Sequence, residues 1–353
     1  MTAFTYDALP GRVVFSPGAA RTRLHAEVDA LGATRILLVA SDAESALAHE
    51  LTAPFAGRIA ATFTAVRPHV PIETAELARD AATDADLLLS VGGGSTTGTA
   101  KAVALTSGLP ILAVPTTYAG SEVTPVWGLT ERGRKTTGTD PRVLPRTVVY
   151  DPDLTATLPA ELSAASGLNA LAHCVDAFWA PRRNPISGAV AEGGIRHLLA
   201  GLSRGAADAE ARTELLLGAY LAGSAFAGTG SGLHHKICHV LGGAFDLPHA
   251  WTHAIVLPYV LAFNAPHAPE AASRIAAALG HADPVEALRD LGAKLGVPAG
   301  LRQLGLREAD LDTVHGDILA LAPADNPRPV TAEGVRTLLH AAWAGTDPAG
   351  EAP

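Results

Sequence analysis

A triple glycine that joins an apolar segment to a helical one constrains the fold of this chain more than any other feature. Residues 87–91 have the sequence Leu-Leu-Leu-Ser-Val, which is typical of a strand buried on both faces of a sheet. Gly92, Gly93 and Gly94 follow, and a helical pattern then runs to Lys101. Backbone N–H groups at such a turn are unobstructed by side chains and bind anions at the start of the helix. The segment therefore predicts a phosphate site suited to a dinucleotide.

Strand-like and helix-like segments alternate before residue 151. The apolar segments that predict strands are 35–40, 87–91, 111–114 and 147–150, and the segments that predict helices are 42–51 and 74–83. This alternation is the βαβ pattern of a parallel sheet covered by helices. The first part of the chain is therefore predicted to be α/β.

Helical periodicity dominates after residue 158. The predicted helices there include 159–179, 186–200, 207–227, 234–244 and 332–344. Asp-Pro and Leu-Pro steps between residues 151 and 158 mark a boundary. We therefore expect two domains, a dinucleotide-binding α/β domain at 1–155 and an all-α substrate domain at 156–353.

Composition excludes several classes of protein. The chain has 353 residues and a net charge of -9, so it lacks the basic surface that nucleic-acid binding requires. Its two cysteines, Cys174 and Cys238, lie in apolar helical patterns, so we expect buried thiols and a reducing, cytoplasmic compartment. We expect neither an export signal nor a membrane-spanning segment.

Polar side chains recur at helical spacing in the second half of the chain. Asn169 and His173 are four residues apart and share a helix face, and His235 and His239 repeat this spacing. His249 follows in a Leu-Pro-His turn. A single histidine on an apolar face is usually a core residue with a backbone partner. Two helices and a turn that together contribute five polar side chains favour a polar pocket instead.

Several short motifs occur in an order that identifies a family. They are Gly92-Gly-Gly-Ser, Ala100-Lys101, Pro115-Thr-Thr-Tyr-Ala-Gly-Ser-Glu-Val-Thr124, Asp151-Pro-Asp-Leu, Ser166-Gly-Leu-Asn-Ala-Leu-Ala-His173, His235-Lys-Ile-Cys-His-Val-Leu-Gly-Gly, Leu247-Pro-His and Asn326-Pro-Arg-Pro-Val. From Tyr6 to Trp343 the chain resembles the iron-containing alcohol dehydrogenase superfamily. The resemblance implies an N-terminal Rossmann-like domain and a C-terminal helical domain, the fold that this superfamily shares with dehydroquinate synthase.

The metal site of that family is altered in this sequence. The family's metal ligands, one aspartate and three histidines, correspond to Asn169, His173, His235 and His249. An amide oxygen carries no formal charge, so the asparagine removes the ligand that best offsets a divalent cation. We therefore expect no metal.

Two further positions are similar to the maleylacetate reductase branch of the superfamily. Gly98 stands where the family usually has an aspartate, and residues 115–121 match the branch's Pro-Thr-Thr-Tyr segment. The resemblance implies NADH- or NADPH-dependent reduction of maleylacetate, a dicarboxylate, to 3-oxoadipate without a bound metal. It leaves the tolerance of chlorinated substrates open.

The resemblance also implies a set of cofactor contacts. They are Gly92, Gly93, Gly94, Ser95, Thr96, Lys101, Thr116, Thr117, Tyr118 and Ser121. Ser41 follows the apolar segment 36–39, at a place where an NAD-specific dehydrogenase often carries an acid that repels a 2′-phosphate. Ser41 is uncharged, although Asp42 is adjacent, so the sequence leaves both NADH and NADPH open as the cofactor.

The four histidines suit the implied reaction. Hydride addition to the double bond of maleylacetate leaves an enolate, which histidines can stabilise through hydrogen bonds without a metal. We prefer His239 as the general acid, because the family has a mechanistically important histidine there and imidazole titrates near working pH. Tyr118 and the other histidines are alternative proton donors.

Three other functions are compatible with parts of the sequence. A metal-dependent alcohol dehydrogenase would use Asn169 as an imperfect ligand, and a carbon–oxygen lyase similar to dehydroquinate synthase fits the motifs less well. A catalytically silent dinucleotide-binding sensor would explain the lost aspartate but not the retained histidines, Lys101 and Tyr118. We favour a reductase of a small dicarboxylate, and the resemblance suggests a homodimer.

Overall fold

The computed structural model describes residues 4–132 and 134–348, which fall into two compact units. The sheet unit comprises Ala8–Pro159 and Ala206–Leu216. The helical unit comprises, within the described residues, 4–7, 160–205 and 217–348.

The strands and the shorter helices belong to the sheet unit. The strands are β1 (Arg12–Phe15), β2 (Ile36–Val39), β3 (Ile59–Phe63), β4 (Leu87–Gly92), β5 (Ile111–Pro115), β6 (Val126–Glu131), β7 (Arg134–Thr139) and β8 (Thr147–Tyr150). The helices among them are α1 (Ala19–Thr22), α2 (Leu24–Ala30), α3 (Ser45–Thr52), α4 (Ile72–Ala81) and α5 (Gly94–Ser107).

Six of these strands form one parallel sheet in the order β1-β8-β5-β4-β2-β3. Consecutive parallel strands need crossover connections, and the intervening helices provide them. The strands β6 and β7 pair separately as an antiparallel hairpin, which the sequence patterns did not indicate. The order places β2, β4 and β5 side by side, so their carboxyl ends lie next to one another.

Alternation along β2 shows why the sheet is apolar on both faces. Ile36 and Leu38 join the core formed with α1, α2 and α3, whereas Leu37 and Val39 join the core formed with α4 and α5. All four side chains are fully buried, and each contributes about 2 kcal/mol of hydrophobic free energy relative to exposure. The sheet is therefore held between two helical layers.

Nine α-helices follow the sheet in the part of the chain that the structure describes, and four of them share one apolar core. The nine are α6 (Ala160–Asp176), α7 (Pro185–Arg204), α8 (Ala209–Thr229), α9 (Leu233–Phe245), α10 (His249–Asn264), α11 (Pro269–Leu279), α12 (Pro284–Lys294), α13 (Glu308–Leu321) and α14 (Ala332–Ala344). Leu233, Ile237 and Leu241 recur every four residues along α9 and are buried with apolar residues of α10, α13 and α14. His235 and His239 lie two residues out of step with them, so they occupy a different face of the same helix.

The expected combination of a parallel α/β domain and a helical domain is confirmed. None of the helices within residues 4–132 and 134–348 is long and apolar enough to cross a membrane.

Candidate functional site

The glycine turn leads directly into the first turn of α5. Gly93 is the N-cap residue of this helix and has no side chain that could occupy the unpaired N–H groups of the first turn. A Cβ atom at Gly93 would lie 3.0 Å from Thr117 Cγ2, so the turn is closely packed against the residues that follow β5. The helix start thus has uncapped backbone donors and no bulky side chain, as an anion site requires.

The proposed cofactor residues lie after three adjacent strands. Ser41 follows β2, and residues 92–96 end β4 and begin α5. Thr116, Thr117, Tyr118 and Ser121 follow β5. The carboxyl edge of a parallel sheet is the usual place for a dinucleotide. The sheet unit therefore brings these sequence-predicted residues to one edge.

Lys101 and Tyr118 are engaged inside the sheet unit. The ammonium group of Lys101 donates to the carbonyl oxygens of Ser121, Thr124 and Val126 at 2.6, 2.8 and 2.8 Å. Lys101 is 1% exposed, and burial lowers its pKa to about 7. Tyr118 is fully buried and its hydroxyl donates to Thr155 Oγ1 at 3.2 Å. These contacts hold the ammonium group of Lys101 against the segment after β5, and its role as a cofactor contact stays a prediction.

The other predicted site residues converge in the helical unit. Asn169 and His173 lie on α6, His235 and His239 on α9, and His249 begins α10. The rings of His173 and His235 stack with centroids 4.1 Å apart, and the centroid distances from His239 are 6.1 Å to His235 and 6.3 Å to His249. These ring distances place His173 of α6 beside His235 of α9, with His239 and His249 farther along the same cluster.

The cluster has a buried side and an exposed side. His235 is 2% exposed and His173 is partly buried, whereas His239 and His249 are exposed. Burial, followed by the neighbouring His235, lowers the pKa of His173 well below its usual range. Burial likewise lowers the pKa of His235, with His239 and His249 acting in the same direction. The two inner imidazoles are therefore neutral at neutral pH.

Asp176 orients one of the inner histidines. Its carboxylate accepts a hydrogen bond from His235 Nδ1 at 2.8 Å, from the Gly232 N–H at 2.7 Å and from Trp179 Nε1 at 3.0 Å. The proton of neutral His235 is consequently on Nδ1, and Nε2 carries a lone pair. This buried Nε2 has no hydrogen-bond partner among the described residues, and neither has Asn169 Oδ1. Two acceptors of the cluster are therefore available to a donor.

A second group of buried side chains packs behind the cluster. His234 Nε2 and His253 Nδ1 form a hydrogen bond of 2.9 Å, and the thiol of Cys238 lies 3.8 Å from His234 Nε2. Burial lowers the pKa of both histidines well below the usual range and raises the pKa of the Cys238 thiol. The group is therefore neutral and satisfies part of its hydrogen bonding internally.

These two fully buried histidines predict a loss of stability in mild acid. The unfolded chain takes up a proton on each imidazole below about pH 6.5, while the folded protein, with lowered pKa values, does not. Each such group reduces the free energy of unfolding by about 1.4 kcal/mol for each pH unit below that value, so these two contribute about 3 kcal/mol. His173 and His235, whose pKa values are also lowered, add to the slope. Urea denaturation between pH 7.5 and 5.5 measures this slope. The double substitution His234→Gln and His253→Gln should remove about half of it, and an unchanged slope would contradict the assignment.

Two sets of side chains in the helical unit bear on metal binding. One compact group of potential metal ligands occurs within residues 4–132 and 134–348. It consists of His234, Cys238 and His253, whose ligand atoms all lie within 4.8 Å of one another. His173, His235 and His249 do not form such a group. The ring planes of His173 and His235 are inclined by 22° and lie in stacked contact. Asn169 contributes a neutral amide where the family has a carboxylate, so the family's positions offer imidazole nitrogens and an amide oxygen to a cation.

Comparison with known proteins identifies the class of protein to which this fold and site belong. Residues 10–152 match the family described as iron-containing alcohol dehydrogenase, and residues 163–343 match the C-terminal part of the Fe-containing alcohol dehydrogenase family. The chain belongs to the iron-containing alcohol dehydrogenase family. Membership implies a nicotinamide cofactor and a small-molecule substrate.

Particular relatives are similar over almost the entire chain. The maleylacetate reductase of Sphingobium indicum is 47% identical, with 98% of this chain and 99% of that protein covered. The crystal structure of maleylacetate reductase from a Rhizobium species is 40% identical, with a TM-score of 0.93 and coverages of 98% and 99%. A crystal structure of an iron-containing alcohol dehydrogenase from Corynebacterium glutamicum is 50% identical, with a TM-score of 0.95 and 99% of both chains covered.

Proposed function

We propose that this chain is a maleylacetate reductase, which uses a reduced nicotinamide nucleotide to convert maleylacetate to 3-oxoadipate. Full-length similarity to curated maleylacetate reductases supports this activity over that of an alcohol dehydrogenase. The observation that carries the proposal is Asn169, a neutral amide one helical turn before His173, which stacks on His235. A carboxylate there would repel the two carboxylates of the substrate, whereas an amide can donate to one of them.

The reaction moves one hydride and one proton. A bound reduced nicotinamide would supply a hydride to the β carbon of the unsaturated ketone, and the electron pair of the double bond would then move through the α carbon to the ketone oxygen. The resulting enolate is stabilised by hydrogen-bond donors that are already in place. A proton then adds to the α carbon, which regenerates the ketone and leaves 3-oxoadipate and the oxidised nucleotide.

The exposed and buried histidines suit different steps. His239 and His249 are exposed and can exchange protons with solvent, so we assign proton delivery to His239 and substrate binding to His249. His235 presents a lone pair at Nε2, so it accepts a hydrogen bond until it is protonated. Asp176 then stabilises the imidazolium. His173 positions His235 through the ring stacking.

We propose that the reaction proceeds without a metal. Neutral Asn169 and the stacked rings of His173 and His235 support this proposal. The expected result is that the purified protein oxidises NADH or NADPH in the presence of maleylacetate and keeps its full rate in excess chelator. The decrease in absorbance of the reduced nicotinamide measures the rate, and elemental analysis measures the metal content. Stoichiometric iron or zinc whose removal abolishes the activity would establish a metal-dependent enzyme instead.

The substitution Asn169→Asp is the matched test of the same site. It restores the family's anionic ligand without changing the size of the side chain, so we expect more bound metal and a lower rate with maleylacetate. A variant that gains metal and oxidises small alcohols would show that this single position separates the two activities. A variant with unchanged turnover of maleylacetate would remove the proposed role of the amide.

The remaining assignments are part of the same proposal. A homodimer, a cytoplasmic location and the absence of nucleic-acid or membrane partners follow from the family resemblance, the net charge of -9 and the two buried cysteines. Light scattering of the purified protein tests the oligomeric state.

A further inference from the structure

A carboxylate that the sequence did not single out lies against the glycine turn. Glu44 follows Ser41 by three residues, just before α3. Its carboxylate accepts hydrogen bonds from Ser41 Oγ and Thr116 Oγ1, each at 2.7 Å. Thr96 Oγ1, in the first turn of α5, is 3.5 Å away. One acidic side chain therefore connects the carboxyl ends of β2, β4 and β5.

The contact with the turn is close enough to require glycine. A Cβ atom at Gly92 would lie 2.5 Å from Glu44 Oε2, and the φ angle of Gly92 is +151°, which side chains disfavour. The carboxylate thus occupies space that a side chain at residue 92 would otherwise fill. It is held there by hydroxyl groups on two sides.

In the part of the chain that the structure describes, the Glu44 carboxylate has no lysine, arginine or histidine as an ion-pair partner. Hydroxyl donors stabilise the position of the carboxylate but leave its negative charge in place. The turn predicted to bind a pyrophosphate is therefore bordered, on the side of β2, by a negative charge.

We infer that Glu44 selects NADH over NADPH by accepting hydrogen bonds from the adenosine ribose and repelling a 2′-phosphate. An acid near the end of the second strand is the general means by which dinucleotide-binding folds bind the ribose diol. Here Ser41 occupies the end of β2 and its hydroxyl donates to Glu44, so the acid is supplied three residues later. The kinetic test of this inference rests on the proposed function, because it measures turnover of maleylacetate. The inference predicts a preference for NADH, which Ser41 alone left open.

The test measures both nucleotides with Glu44→Gln, which keeps the shape and removes the charge. We expect the wild-type protein to have a kcat/KM at least tenfold higher with NADH than with NADPH, and Glu44→Gln to raise the value for NADPH about tenfold. Glu44→Ala, also neutral, should shift the ratio in the same direction. Thermal denaturation verifies that each variant is folded.

Glu50→Gln is the matched control. Glu50 is an exposed glutamate on α3 that pairs with Arg21, so the substitution changes the net charge equally without touching the turn. We expect its NADH/NADPH ratio to equal that of the wild-type protein. A similar shift in Glu50→Gln would assign the effect to overall charge and overturn the inference.

Direct binding separates this inference from the proposed function. Fluorescence titration with NADH and NADPH, without maleylacetate, gives the two dissociation constants for each variant. A Kd ratio that changes in Glu44→Gln supports the role of Glu44 even if maleylacetate is not reduced. Equal affinities for the two nucleotides in the wild-type protein, or an unchanged ratio in both neutral variants, would overturn it.

Discussion

Replacing His239 with alanine is expected to lower kcat by about a hundredfold to ten-thousandfold, the usual effect of removing a general acid. The KM for maleylacetate should change much less, because proton delivery contributes only as charge develops in the transition state. His239 lies on the exposed side of the cluster, 6.3 Å from His249 between ring centroids, so it can be reprotonated from solvent. Steady-state kinetics with saturating NADH measures both constants.

Comparison variants make this result specific. His249→Ala removes the other exposed histidine and should mainly raise KM, because we assign that residue to substrate binding. His281→Ala removes an exposed histidine between α11 and α12 and should leave both constants unchanged. The acid-dependent part of the pH profile of kcat should disappear in His239→Ala alone. Near-normal turnover in His239→Ala, with a large loss in one of the others, would move the proton donor to that residue.

Helices and strands were predicted well from the sequence where a single hydrophobic pattern, either helical or strand-like, dominates a segment. The glycine turn was placed correctly because a buried strand and a helix flank it, and both are apolar enough to recognise. The hairpin of β6 and β7 was missed, because residues 126–139 carry alternating and polar side chains with no long apolar run. Strand order was also beyond the sequence, since pairing depends on contacts between distant segments.

The candidate site was predicted less completely than the fold. Periodicity brought His173 and His235 to the correct helix faces, and the same rule could have found Asp176, which follows His173 by three residues, and His253, which follows His249 by four. No periodic pattern marks Glu44. Its position depends on the short 3-10 turn after β2 and on the hydroxyl group of Thr116, which follows β5. Lys101 was predicted as a cofactor contact, and its burial depends on the loop that follows β5, which the sequence did not place.

The substitution Asp176→Asn is expected to reduce kcat by about tenfold to a hundredfold, although Asp176 itself touches neither substrate nor cofactor in the proposed mechanism. The carboxylate accepts three hydrogen bonds, from His235, Gly232 and Trp179. An amide oxygen cannot accept all three, because the NH₂ group would face one of the N–H donors. His235 also loses the negative charge that stabilises its protonated form, so Asp176 acts as a positioning residue.

A structural defect must be distinguished from this positioning role. Trp179→Phe removes one donor to Asp176 but keeps the carboxylate and its bond to His235, so its kcat should stay within about threefold of the wild-type value, because the orientation of His235 is kept. Nitrogen NMR of His235 reports which ring atom carries the proton: we expect Nδ1 in the wild-type protein and in Trp179→Phe, and a mixture of tautomers in Asp176→Asn. If Asp176→Asn changes the tautomer while kcat is unaffected, the orientation of His235 is irrelevant to turnover and the assignment fails. If kcat falls equally in both variants, the loss comes from packing around Trp179 and not from the imidazole.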